Sequence, residues 1–425
     1  MNDKASDGVL AAIRATPLPI RYLLGGVALN QLGAFVQTFL VLYLVYRGGS
    51  AEVAGLSLVA YSAGSVFGTV LGGELTHRFG PRVTIGLSMA VSGPMVALVP
   101  WTAGLDAVWP LMLDVALAGL VTQAYRPAAA VLLSNLMPEK FQVMAFSMMR
   151  IALNTGAALG PLLAAVLITV DWDLLFYFDG LTAVLYAALA FTLLPNVPAP
   201  AEEKPEPGEV VDRRSAYAVM LRDSRFLMFL ASLFLGTIVY TQFFVALPLK
   251  IVADHQPVGL YSAVLVTSSV VLITCELKIT SYIVKWPPPL AVGLGHAVFA
   301  LGFLGWWLTS SPVVVVAGSA LFVLGLMMSG PSMFARPAKA PARYKARYLG
   351  VTHALAGLSG SIAPLLGVLA WNRLGGGIWA VCGLLALAAA VLAYFGITVH
   401  AEPEPAAPAE AEPAAPVSEM VEEKA

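Results

Sequence analysis

Two ionisable side chains stand inside long apolar runs: Arg126 in AYRPAAAVLL and Glu276 in ITCELKITSY. Burial can raise a glutamate's hold on its proton into the working range, which is the chemistry of a proton carrier. The competing reading pairs Glu276 locally with Lys278 or with a base elsewhere at the cytoplasmic mouth. Arg126 cannot easily lose its proton; it either serves charge in the middle of the chain's thickness or snorkels toward a polar edge. Amides supply the second chemistry. Asn30, Gln37, Gln123, Asn154 and Gln242 donate and accept without a fixed charge, which suits a neutral or weakly polar ligand. Tyr125, Tyr240, Met327 and Met328 would complete an amphipathic pocket, methionine being suited to adaptable surfaces; helix packing is the alternative for each. His296 and His353 read as packing residues. Asp114 and Asp179 fall close to the ends of their runs, where they are expected to reach an interface. No nucleophile–base pair or metal-ligand cluster is seen inside the runs, and no G-x-x-x-x-G-K-[ST] loop, so neither an enzyme, nor a bound metal or cofactor, nor ATP-driven work is expected.

The elements that must carry these groups follow from composition. Of 425 residues 59% are hydrophobic and 12% charged, with a mean hydropathy of +0.81. A soluble chain carries roughly 25% charged residues, so the solvent here is lipid over most of the length. A membrane helix needs about 20 apolar residues to cross about 30 Å of hydrocarbon. That ruler predicts twelve spans, at about 22–46, 53–73, 83–103, 108–132, 146–170, 174–195, 226–249, 259–283, 289–309, 312–334, 348–371 and 376–398. The runs are continuous rather than alternating, which excludes a barrel; helix is the remaining way to satisfy the backbone in lipid. The expected class is an all-α integral membrane protein. With a formal net charge of −1, nucleic acid is not an expected partner. Cys275 and Cys382 both sit in apolar runs and indicate no disulfide framework, and the first 19 residues do not read as a cleaved signal peptide.

Charge sets the expected orientation. With the N-terminus in the cytoplasm, nearly every lysine and arginine of the connecting segments falls on that side, Arg150 counted among them, and Arg47, Lys250 and Arg373 fall outside. Both termini are then cytoplasmic. The division expected is a six-helix half over 1–195, a charged, proline-rich linker over 196–224, a second half over 225–400, and an acidic Ala/Pro tail over 401–425.

The halves repeat. VQTFLVLYL (36–44) returns as TQFFVALPL (241–249), placing Gln37 over Gln242 at an offset of 205, and GPLLAAVL (160–167) returns as APLLGVLA (363–370). Pro127, Pro138 and Pro161 fall on Pro331, Pro341 and Pro364 at offsets of 204, 203 and 203. Parallel six-helix halves with substrate near the midplane are an architecture of secondary transporters.

Between the second and third runs the chain stops for GGELTHRFGPR (72–82). Here it resembles the major facilitator superfamily, over about residues 20–398. That family's Gly-x-Leu-x-Asp-Arg-x-Gly-x-Arg turn is carried as Gly73, Leu75, Arg78, Gly80 and Arg82, with His77 where the family has an acid. The resemblance implies a latch between the halves at these residues, with Glu74, one helical turn earlier, as the substitute acid. In the fifth run Gly156, Gly160 and Pro161 resemble the family's antiporter motif, whose last two glycines are Ala164 and Ala165 here. Arg126 resembles the fourth-span arginine of proton-coupled drug exporters, whereas the first span lacks the acid many of them carry. The implied protein is a monomeric twelve-helix exporter of an amphipathic small molecule in exchange for protons, in the cytoplasmic membrane, with Arg126 and Glu276 as coupling candidates. An importer or uniporter on the same scaffold, or a non-transporting sensor or assembly partner, are the rival readings.

Overall fold

The computed structural model describes residues 9–197, 216–257 and 259–397; most of the linker and the whole acidic tail lie outside them. The described chain is helical. A short α1 (Val9–Ala15) leads into a first span made of two pieces, α2 (Leu18–Leu32) and α3 (Phe35–Tyr46). Then come α4 (Ala51–Phe79), α5 (Pro81–Ala103), a fourth span in two pieces, α6 (Val108–Gln123) and α7 (Tyr125–Leu136), followed by α8 (Gln142–Val170) and α9 (Leu174–Leu193). After α10 (Ala216–Arg222) the second set runs α11 (Ser224–Ala253), α12 (Gly259–Ile283), α13 (Pro288–Leu308), α14 (Pro312–Ala335), α15 (Ala342–Leu374) and α16 (Ile378–Gly396). Eleven stretches are long and apolar enough to cross a membrane, and the last of them, the 54 residues Arg343–Gly396, holds both α15 and α16. Only a single turn over Gly375–Gly377 separates those two helices, so the crossings number twelve.

Local sequence explains where helices stop. Gly80 ends α4 at φ +81°, a conformation that favours glycine, and Pro81 opens α5 at its first position, where a missing N–H costs nothing. Asp223 caps α11 by accepting from the Phe226 N–H at 3.0 Å. The repeated prolines take equivalent places: Pro161 and Pro364 lie inside α8 and α15, while Pro138 and Pro341 stand just before the fifth and eleventh spans.

Packing uses small residues to bring backbones together. Gly64, Gly68 and Gly72 recur every four residues along α4, and a Cβ on any of them would overlap a backbone carbonyl of Ala116, Leu120 or Ala124. Gly68→Val is therefore expected to destabilise the first half by about 1–3 kcal/mol or more, since a backbone carbonyl cannot move aside as a side chain can; a melting curve in detergent measures the loss.

The halves meet through α4 and α7 against α15, and through α8 against α12 and α14. Every hydrogen bond or ion pair seen between them among the described residues lies toward one end, the end that carries the basic turns. Arg347 bonds Glu74 there, Lys345 donates to Asn135 at 3.0 Å, and the Ser147 and Thr280 hydroxyls lie 2.9 Å apart. At this basic end the bundle is sealed.

Candidate functional site

Two acids of the repeat hold the seal. Glu74 on α4 and Glu276 on α12 stand 202 residues apart, close to the offset of the prolines, and each meets an arginine of the opposite half. Arg347 on α15 grips Glu74 with two bonds, Nε to Oε2 at 2.7 Å and Nη2 to Oε1 at 3.1 Å, the fork geometry that makes guanidinium–carboxylate pairs specific. Arg78 adds a bond to Glu74 at 2.8 Å. Glu74 thus supplies a carboxylate at the turn that joins α4 to α5, one helical turn before His77; His77 itself is half-buried in the last turn of α4. Leu75 is half-buried beside it. Arg82 reaches back to donate to the carbonyl of Phe191 in the last turn of α9. At Gly73 a Cβ would come 2.7 Å from the Ala346 carbonyl, so the closest α4–α15 approach depends on the missing side chain.

The second pair is deeper. Arg150 on α8 lies 3.3 Å from Glu276 and donates from the same Nη1 to the Leu326 carbonyl at 3.0 Å. Glu276 is 0% exposed and Arg150 5%. Lys278, the local partner expected for Glu276, is instead exposed. Neither carboxylate oxygen makes a hydrogen bond of good geometry, and Arg150 Nη2 has no partner among the described residues. Sequence reasoning missed Arg150, which reads as one more positive charge of a loop. The signal was the spacing of Glu74 and Glu276, which places the second acid where the first already has an arginine.

Arg150 also stands on the wall of a cavity of about 290 Å³. Asn154 joins it there, its amide donating to the Arg150 carbonyl at 2.8 Å. Tyr240 lines the same cavity, its ring stacked on Phe322 at 5.7 Å. So do His296 and His353, whose Nδ1 atoms lie 2.9 and 2.8 Å from the carbonyls of Val292 and Leu349. A carbonyl only accepts, so each Nδ1 carries a hydrogen, and in the neutral ring each Nε2 is the acceptor.

Other expected pocket residues stand elsewhere. Gln242 is 2% exposed and donates to Ile238 at 2.9 Å and to Ala363 of α15 at 3.1 Å, which ties two helices of one half together. Met327 is packed in the apolar core of the second half. Tyr125 packs edge-on to Tyr186 in the core of the first. Gln37 is exposed on α3, and Asn30 is buried in α2. Gln123 lies beside Tyr61, and Arg126 is half-buried within electrostatic reach of Tyr61 and His353. None of these lines the cavity of Arg150. Gly156 and Gly160 serve close packing of α8 on α2: a Cβ at Gly156 would stand 2.7 Å from the Ala28 carbonyl, and one at Gly160 3.2 Å from that of Leu32. Pro161 follows them inside α8.

Two acids expected at an interface are buried. Asp114 accepts from Thr102 at 2.9 Å. Asp179 accepts from the backbone N–H groups of Phe35 and Val36 at 3.0 and 3.2 Å. The reason is the break at Gly33–Ala34: interrupting a membrane helix orphans N–H groups that something inside the protein must satisfy. A carboxylate at the N-terminus of α3 does so with the helix dipole in its favour.

Comparison with known proteins agrees with this architecture. A family model described as Major Facilitator Superfamily matches residues 23–364. A Na(+), Li(+), K(+)/H(+) antiporter of Planococcus maritimus is 25% identical over 83% of this chain and 89% of its own length. An uncharacterised transporter of the same type from Bacillus subtilis, YqjV, is 26% identical over 62% of this chain, the match spanning 64% of that relative. Multidrug resistance protein MdtH of Shigella dysenteriae is 26% identical over 70% of this chain and 72% of its length. Among solved structures the human organic anion transporter MFSD10 superposes with a TM-score of 0.72 at 16% identity, covering 89% of this chain and 100% of that one. The proton:xylose symporter XylE gives 0.70 at 14%, covering 92% and 96%.

Proposed function

Because this chain belongs to the major facilitator superfamily, and so is a multi-pass membrane transporter and not an enzyme, we propose that it moves an amphipathic small molecule by proton-coupled alternation of its two halves. The observation that carries the reading is the Arg150–Glu276 pair, a buried carboxylate whose partner belongs to the other half and also faces a cavity. A charged Glu276 holds α12 to α8 and keeps the basic end shut. A proton on Glu276 removes the attraction, so the form open at the basic end gains by the difference in affinity. By the positive-inside rule the basic end is cytoplasmic; the proton then enters from outside and leaves inside, and both termini are cytoplasmic. The working unit in this reading is a monomer.

For a neutral or cationic substrate the cycle is export in exchange for protons, the mode to which the names of the antiporter and MdtH relatives lend support. One observation favours a second mode. The cavity wall bears a cation, and an anionic substrate would travel together with the proton instead. Liposomes carrying a trapped pH dye separate the two. Under an imposed proton gradient, alkalinisation of the proton-rich side on substrate addition is expected in either mode, with substrate and proton moving oppositely in the first and together in the second. Substrate flux with no proton movement would reject the coupling.

A further inference from the structure

The charge pattern of the Arg150 cavity narrows what it can hold. Of the side chains that line it, Arg150 alone carries a fixed charge, and none is a carboxylate. Glu276 lies behind the guanidinium, fully buried and off the cavity wall. The remaining polar groups are neutral donors and acceptors, Asn154, Thr237 and Ser329 among them, and the rest of the wall is apolar or aromatic. We propose that the substrate is a small amphipathic organic anion, its acid group on Arg150 and its apolar body between Tyr240, Phe299 and Leu326. The proposal rests on the proton-coupled reading above and supplies its substrate class.

Three features of the site support this. First, Arg150 Nη2 is a buried donor with no partner among the described residues; leaving such a donor on a charged group unmade is costly, and a small turn of the guanidinium toward the cavity it lines would let a ligand oxygen satisfy it. Second, the cavity is shaped around the guanidinium, since a Cβ at Gly330 would overlap it and one at Gly236 would come 3.0 Å from His296 Nε2. Third, a cationic ligand would be placed beside an arginine away from water, where like charges repel far more strongly than in solution. A volume of about 290 Å³ is at the small end of ligand pockets, which run from about 300 to 1,000 Å³, so the body is that of one or two rings.

The anion and the proton are then linked. The titratable groups around Arg150 are Glu276 on α12, Tyr240 on α11, His296 on α13 and His353 on α15, with Arg126 within reach of His353. Only Glu276 competes with a ligand anion for Arg150. An anion on Arg150 deprives Glu276 of its counter-charge and favours its protonation; a proton on Glu276 frees Arg150 for the anion. By reciprocity each strengthens the other. Binding takes up a proton.

The test uses the full chain in detergent and three probes of one body: 1-naphthoate, 1-naphthamide and 1-naphthylmethylammonium. Calorimetry in two buffers of different ionisation enthalpy reads affinity and proton uptake together. Naphthoate is expected to bind at least about tenfold more tightly than the amide, the advantage of a charge-assisted bond over a neutral one, with the ammonium weakest. The double variant Arg150→Gln/Glu276→Gln removes the pair without leaving either charge alone, so that its melting curve shows the fold intact; it should bind naphthoate no better than naphthamide. Equal or tighter binding of the amide or the ammonium, a naphthoate preference that survives in the double variant, or no binding of any probe by folded protein would each overturn the proposal. Tight naphthoate binding with no proton uptake would leave the anion site standing and reject Glu276 as the coupled acid, which keeps the two failures apart.

Discussion

Liposomes containing Glu276→Gln are expected to exchange substrate across the membrane and to fail to concentrate it against a gradient. With one proton carried per substrate, a difference of one pH unit is worth about 1.36 kcal/mol and supports about a tenfold concentration ratio; in the variant that ratio falls to about one. Glutamine is the informative substitution because its shape is that of the protonated acid. Its carbonyl keeps a neutral polar atom where the native carboxylate lies 3.3 Å from the Arg150 guanidinium, without the attraction of an ion pair, whereas alanine would abandon a buried arginine at a cost of about 3–5 kcal/mol. The sign is fixed by the pair: a permanently neutral side chain at 276 no longer holds α12 to α8, so the basic end opens more readily and substrate affinity for Arg150 does not fall. Counterflow should therefore proceed at near the native rate while pH-driven accumulation disappears. Accumulation that persists in Glu276→Gln would place the coupled proton on another group.

The parts of this protein that were legible in the sequence are those that lipid dictates. Hydrocarbon thickness sets the length and continuity of each apolar run, so twelve crossings and their order could be counted. The repeat of Pro127, Pro138 and Pro161 as Pro331, Pro341 and Pro364 could be read because a proline without an N–H constrains the backbone wherever it stands. The turn at Gly80–Pro81 was readable for the same local reason. What a helix presents to its neighbours is not local. Arg150 lies near the start of the fifth apolar run, and hydropathy alone assigns it to the membrane edge; only the crossing of α8 with α12 and α14 turns it inward. Asp179 is misplaced because the depth ruler assumes an unbroken first span, and the break at Gly33–Ala34 creates a demand for an acceptor that no count of apolar residues anticipates. Gln242 shares a repeat position with Gln37, yet one amide is stitched to Ala363 and the other is exposed. Pseudo-symmetric sequence does not impose symmetric contacts when the halves pack asymmetrically about a cavity.

Gly350→Val should hold the basic end apart. A Cβ at Gly350 would lie 2.9 Å from the Thr69 carbonyl and 3.2 Å from the Gly73 Cα, so the two extra methyl groups of valine have only backbone to push against. Overpacking of this kind costs about 1–3 kcal/mol or more, and it is paid only in the form sealed at this end. A differential cost of that size shifts a two-state equilibrium about 5- to 150-fold. The shift is measurable as a distance. Spin labels at Tyr46 and Val252, both exposed and at the far ends of α3 and α11, report on the end opposite the basic turns; as the basic end opens, their separation should shorten and transport should slow. Gly360→Val on the same helix is the control, because nothing lies within 4 Å of a Cβ there and the same loss of a glycine should leave the distance unchanged. An unaltered label separation in Gly350→Val, with the protein folded, would mean that the α4–α15 approach is packing alone and that closure is held elsewhere. A shortened separation would show that the missing side chain at residue 350 is what allows the bundle to close over Glu74 and Arg347.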